Sequence, residues 1–241
     1  PPLGAPPPSH LMPDTPETIE RFAERLEAVR SRVRDAAARA SRDPREVRIV
    51  GVTKTIAPER IRVAYDAGIR DLGENYVTEL RAKQPLFPEA TWHFIGTLQA
   101  GSARHVARHA DVVQTLAPGS AVERLSARLA TLERSLPCLV EVDLTGDRPG
   151  VPPADLAAFV RRARELPGIR VTGLMTLPPA DPDPEAARPF FRRLRDLRDG
   201  LRESHPEVLD LSMGMSLDYE VAVEEGATMV RLGTVLFGER R

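Results

Sequence analysis

Among the 34 basic residues only two are lysines, Lys54 and Lys83; the other 32 are arginines. A chain that uses arginine wherever a generic positive charge will serve makes each lysine a question: does the position need an amine that can lose its proton? Arginine does not readily do that, whereas a desolvated lysine can. Lys54 closes the run Ile49-Val50-Gly51-Val52-Thr53. Alternation along a strand puts it on the face shared by Val50 and Val52. If that face is a barrel interior, the amine points into the mouth, where it is placed for Schiff-base chemistry with an aldehyde. The plain alternative is a lysine snorkelling from a strand end.

Two further clusters read as anion ligands. Ser212-Met213-Gly214-Met215-Ser216 and Arg231-Leu232-Gly233-Thr234 offer hydroxyls and glycines where a ligand can approach the backbone closely. Loops after the last two strands of a barrel commonly hold phosphate. An amine at one end and an anion site at the other imply a ligand carrying an aldehyde and a phosphate. Arg231 interrupts the apolar Met229-Val230-Arg231-Leu232, so its charge needs a partner. That partner is either a polar atom of a ligand or, structurally, Glu74 or Asp143.

Other candidates carry less. His93, between Trp92 and Phe94, reads from its neighbours alone as a satisfied core histidine. His105 and His109 have metal-ligand spacing, but Arg104 and Arg108 beside them repel a cation, and no metal is expected. Cys138, the only cysteine, lies in an apolar run as a small core residue. Met213 and Met215 read as packing. The arginines of 161–164 and 192–198 read as solvated helix faces with acidic neighbours.

These residues must be positioned by an alternation of strands and helices. Ile19, Phe22, Leu26, Val29 and Val33 form one stripe of a helix from a Thr15-Pro16 cap to about Ala40. β-rich runs follow at 47–54, 71–75, 92–97, 111–116, 138–144, 171–177, 208–213 and 229–232. A capping box, Ser120-x-x-Glu123, opens one intervening helix. Asp183-Pro184 opens another, with Phe190, Phe191, Leu194, Leu197 and Leu201 inward, and Ser216 caps a short one ending near Gly226. Eight strands in 241 residues approach the ~250 of a (β/α)8 barrel; an open doubly wound sheet is the rival. One barrel domain, 15–241, is expected after a proline-rich disordered leader, 1–14.

Composition sets outer bounds. With 35 acidic residues against 34 basic and a net charge of −1, the strongly basic footprint of a nucleic-acid binder is missing. No run approaches the ~20 apolar residues of a membrane span. One cysteine fits a reducing, cytoplasmic compartment.

Val52-Thr53-Lys54-Thr55, Gly73-Glu74-Asn75-Tyr76, Trp92-His93-Phe94-Ile95-Gly96 with Leu98-Gln99, Gly173-Leu174-Met175, Leu211 to Ser216, and Met229 to Thr234 together resemble the pyridoxal phosphate homeostasis proteins. The likeness runs in order from about residue 16 to Gly238. It implies a single barrel akin to the alanine racemase N-terminal domain, holding pyridoxal 5'-phosphate (PLP) as a covalent aldimine on Lys54. By it, Arg231 faces the pyridine nitrogen, and Asn75, His93 and Met175 line the ring. Ser212, Gly233 and Thr234 bind phosphate, with Ser216 and Met213 close by. The implied role is storage and delivery of PLP in the cytoplasm, with little or no catalysis; PLP-dependent apo-enzymes are the candidate recipients, and a monomer is expected. The chain departs from the family where Gly101-Ser102 replaces an Asn-Lys pair and where Arg148-Pro149-Gly150 lacks a lysine before glycine. Rival readings are a PLP-dependent amino-acid racemase, whose second acid/base would need a further C-terminal domain, a Schiff-base aldolase acting on a sugar phosphate, and a non-catalytic barrel.

Overall fold

The apolar stripe read at the start of the chain becomes α1, Ile19–Arg39, with Phe22, Leu26, Val29, Val33, Ala36 and Ala37 buried. A computed structural model describes residues 17–238. The helix is capped by Thr18, whose hydroxyl oxygen accepts from the Arg21 N–H at 3.3 Å. Thr15-Pro16, expected to do this, lies outside the described residues, as does the proposed leader.

Eight strands follow: β1 Arg48–Val52, β2 Asp71–Glu74, β3 Thr91–Phe94, β4 Val112–Leu116, β5 Leu136–Glu141, β6 Ile169–Met175, β7 Asp210–Ser212 and β8 Met229–Leu232. Each pairs in parallel with the next and β8 pairs with β1, so the sheet closes into a barrel. The doubly wound alternative is excluded. Between strands run α2 Pro58–Asp66, α3 Val77–Lys83, α4 Ala103–His109, α5 Ser120–Thr131, α6 Leu156–Arg164, α7 Arg188–Arg202 and α8 Tyr219–Glu224. Among the described residues, β8 is followed by the single turn α9, Thr234–Phe237. α1 packs against α2, α8 and α9 and so covers the outside of the β8–β1 seam.

Two apolar layers result, as barrel alternation requires. The larger fills the space between strands and helices and includes Trp92, Leu72, Val113, Cys138 and Met213. The smaller fills the interior: Val50, Val112, Leu139, Met175 and Met229, with Leu177 against them. Burial pushes the Cys138 thiol up to about 12, which keeps it an inert core group.

Some boundaries differ from the sequence reading. α5 starts at Ser120 itself, capped by Gly119 at φ +140° with no side-chain bond, so the capping box does not form. α8 is capped by Asp218, whose Oδ1 accepts from the Met215 N–H at 2.6 Å; Ser216 is employed elsewhere. Asp183 does open the turn before α7. Phe191, Leu194 and Leu201 are its buried residues, with Phe190 and Leu197 only partly covered. Arg188, Arg192 and Arg195 of that helix converge on the buried Glu225.

Candidate functional site

β1 ends at Val52, so Lys54 stands half-buried in the turn at the barrel's carboxyl end. Val50, on the face expected to carry it, does point into the interior layer. The turn is pinned on both sides of the lysine. Thr53 is fully buried, its hydroxyl donating to Glu74 Oε1 at 2.8 Å. The Thr55 N–H donates to Glu79 Oε2 at 2.8 Å. Thr55 has φ +63°, a left-handed conformation that is costly for a β-branched residue and persists only where its surroundings impose it.

The carboxylate that accepts from Thr55 is in turn bound by the second lysine. Lys83, from the end of α3, is buried and donates to Glu74 Oε1 (2.6 Å), Glu79 Oε2 (2.5 Å) and the Thr53 carbonyl (2.7 Å). The two lysines therefore divide the labour: one stands in the turn at the barrel's carboxyl end and the other ties that turn down. Burial raises the Glu74 carboxyl above its usual range, against the opposing hydrogen bond from Lys83. Sequence reasoning passed over Lys83, although its rarity and the Glu79-x-x-x-Lys83 spacing were visible.

Arg231 lies on the neighbouring strand, inside β8, where it pairs in register with Val50, and is 4% exposed. Nη1 donates to Ser212 Oγ at 2.6 Å and Nη2 to the Thr176 carbonyl at 3.0 Å. Burial lowers its pKa to about 10, with Asp218 and Glu141 acting to raise it; it stays charged at neutral pH. The structural alternative fails: Glu74 is taken by Lys83, and Asp143 accepts from the Thr145, Gly146 and Arg148 N–H groups to shape the loop after β5.

Asn75 follows β2 at the same end of the barrel, half-buried, with its Oδ1 shielded from solvent and lacking a donor. Its backbone is crowded by Gly96, where a Cβ would fall 1.9 Å from the Asn75 carbonyl oxygen. Only glycine fits there, which explains the residue after Ile95. Met175 is buried in the interior layer beneath the mouth. Ser216 Oγ accepts from the Val235 N–H at 3.3 Å, joining the loop after β7 to the start of α9. Gly233 and Thr234 lie beside it, and a Cβ on Gly233 would meet only Val52, at 3.7 Å. The hydroxyl-and-glycine cluster thus abuts the strand that leads to Lys54.

Lys54, Asn75, Met175, Ser216, Arg231, Gly233 and Thr234 accordingly gather at the carboxyl ends of the strands, where barrels of this type carry their chemistry. Three expected residues are placed differently. His93 is fully buried below the mouth, bonded to Asp71 Oδ1 (2.9 Å) and to Gln114 Nε2 (2.9 Å). It is the satisfied core histidine that its aromatic neighbours suggested. The Ser212 hydroxyl is fully buried between Arg231 and Gln114, which makes it a support for the arginine. The Met213 side chain packs in the outer layer. His105 and His109, on α4, lie beside Arg104, Arg108 and Arg81; burial and those charges lower both pKa values.

The fold is a closed eight-stranded parallel barrel, with a lysine after its first strand and an arginine inside its last. The family profile described as "Alanine racemase, N-terminal domain" matches residues 25–241. An alanine racemase of Clostridium difficile 630 shares the fold, with a TM-score of 0.74 at 14% identity over 92% of this chain and 58% of that one.

The chain belongs, within that class, to the pyridoxal phosphate homeostasis protein family. It is 40% identical over 223 residues to the Aquifex aeolicus member, covering 90% of this chain and 98% of that one. Against the Escherichia coli K12 member it is 36% identical over 228 residues, 91% and 97% of the two chains. PipY of Synechococcus elongatus PCC7942, solved with and without PLP, superposes with a TM-score of 0.80 at 35% identity over 90% of this chain and all of that one.

Proposed function

We propose that this protein binds PLP and serves its homeostasis, storing the cofactor and delivering it to PLP-dependent apo-enzymes, with little or no catalysis of its own. The observation that carries this is near-full-length similarity at 35% identity to a protein solved with PLP bound, with Lys54 and Arg231 on the neighbouring strands β1 and β8 at one end of the barrel. When bound, PLP supplies an aldehyde able to condense with an amine. Lys54 is the amine, held half-desolvated on a turn that Lys83 and Glu79 keep from moving. Arg231 presents donors to the ring nitrogen, and Met175 forms the apolar floor.

The residues present fit such a guest. The orphaned Asn75 Oδ1 is an acceptor awaiting a donor. Ser216, Gly233 and Thr234 offer hydroxyls and unobstructed backbone for a phosphate.

The test is the absorption spectrum of the purified protein with and without added PLP, before and after borohydride, beside a Lys54→Ala variant. A visible band bleached by reduction, with a pyridoxyl adduct mapped to Lys54 and missing from the variant, is the expected result. A colourless protein that stays colourless after soaking in PLP overturns the proposal.

A further inference from the structure

Arg231 carries a buried charge on which Asp218 and Glu141 act through space, yet no carboxylate of the described residues lies within ion-pair distance of it. What it has instead is a line of hydrogen bonds down the barrel interior. Nη1 reaches Ser212 Oγ at 2.6 Å, Ser212 Oγ reaches Gln114 Oε1 at 2.6 Å, Gln114 Nε2 reaches His93 Nδ1 at 2.9 Å, and His93 Nε2 reaches Asp71 Oδ1 at 2.9 Å. Ser212, Gln114 and His93 are each 0% exposed. The Asp71 carboxylate, at the far end, is 22% exposed.

Donor and acceptor chemistry fixes every hydrogen in that line. A guanidinium only donates, so Ser212 Oγ must accept from it, and the serine hydrogen must go elsewhere. Its neighbour is the Gln114 carbonyl oxygen, which only accepts. Turning the amide over would aim two donors at one serine oxygen and leave the serine hydrogen without an acceptor. With the amide set, its N–H2 faces His93 Nδ1, which must then hold a lone pair. The ring hydrogen sits on Nε2 and is donated to Asp71. Each neutral link turns its negative end toward Arg231 and its positive end toward Asp71, so the dipoles add in a medium that screens them poorly.

We infer that Asp71, His93, Gln114 and Ser212 are positioning residues for Arg231, a hydrogen-ordered chain that delivers the countercharge of Asp71 through the barrel and holds the guanidinium at the mouth as a fixed donor. The part concerning the mouth rests on the PLP reading above; the ordering of the chain does not.

Two measurements test it. In the ligand-free protein, nitrogen-15 NMR of the imidazoles is expected to show His93 neutral with its hydrogen on Nε2; a hydrogen on Nδ1, or a charged ring at neutral pH, overturns the chain. The second measurement titrates PLP into Gln114→Met and Gln114→Glu variants, with Leu139→Met as a control in the same interior layer. Gln114→Met removes the acceptor of the Ser212 hydrogen and the donor to His93, which breaks the chain at its middle and predicts about tenfold weaker PLP binding, with a shifted visible band. The control should keep both affinity and band. Gln114→Glu, which accepts at both ends, should drive a hydrogen onto His93 Nδ1 in the NMR spectrum. Equal losses in Gln114→Met and Leu139→Met would reduce the effect to packing and overturn the positioning role. If the unaltered protein takes up no PLP, the PLP reading falls with that role, and the imidazole spectrum alone decides the chain.

Discussion

The Asn75 amide is half-buried after β2 with its Oδ1 cut off from water and without a donor. A shielded acceptor left unanswered costs about 1–3 kcal/mol, a cost that a guest supplying a donor would remove. Asn75→Ala should therefore leave the ligand-free protein as stable as before or slightly more so, while weakening PLP binding about tenfold, one hydrogen bond's worth. Thermal denaturation and a PLP titration on the same preparation check the two halves; a variant equally damaged in both would make Asn75 a purely structural residue. At this scale the sequence was most informative where residue type alone carried the argument. Lys54 and Arg231 stood out because amines and buried charges have few uses. Gln114 did not, although it shares a strand face with Val112 in an apolar run, because a lone buried glutamine declares itself only through the residues across the barrel. Ser212 was read through its motif, and its hydroxyl turned out to face inward.

The turn bearing Lys54 depends on an element two steps away. α3 ends in Lys83, whose ammonium binds Glu74 of β2, Glu79 of its own helix and the Thr53 carbonyl. Removing one partner of a buried pair leaves the other charge uncompensated, at about 3–5 kcal/mol. Lys83→Met should lose stability on that order in urea unfolding, and Lys83→Met with Glu74→Leu should recover much of it. The pH dependence has a definite sign. Burial raises the Glu74 carboxyl in the folded state, so the stabilisation that goes with its protonated form is present in acid and lost as pH climbs from the ordinary carboxylate range through the raised value. The deficit of Lys83→Met should then be largest at neutral pH and shrink as pH falls. Strand positions were legible because parallel strands covered on both faces read as apolar runs. The helix at Ser120 starts where expected, without the side-chain bond of a capping box; Ser216 caps nothing because a serine before a helical pattern caps only if its side chain has no better offer, and Ser216 has one in the Val235 N–H.

The first helix and the last turn of the molecule meet. Phe22 and Phe237 meet at a tilt of 54° with ring centroids 5.5 Å apart, and Arg25 Nε donates to the Leu236 carbonyl at 2.9 Å. Because α1 covers the seam where β8 joins β1, Phe22→Ala should cost about 3–5 kcal/mol and lower a single cooperative transition. A separate early melting of α1 would show that the helix is an accessory. The barrel itself was foreseeable from eight alternations in a length that suits them; that α1 covers the seam was not, since no local pattern reveals which strands a helix will lie across. The same closure carries a consequence for biosynthesis. Of the eight strands β1 is made first, and the strand that pairs with its free edge, Met229–Leu232, is made last. Until then the nascent sheet has an open edge of apolar sequence, a template for pairing with other chains. A ribosome that stalls before β8 would release an aggregation-prone fragment in place of a smaller working barrel.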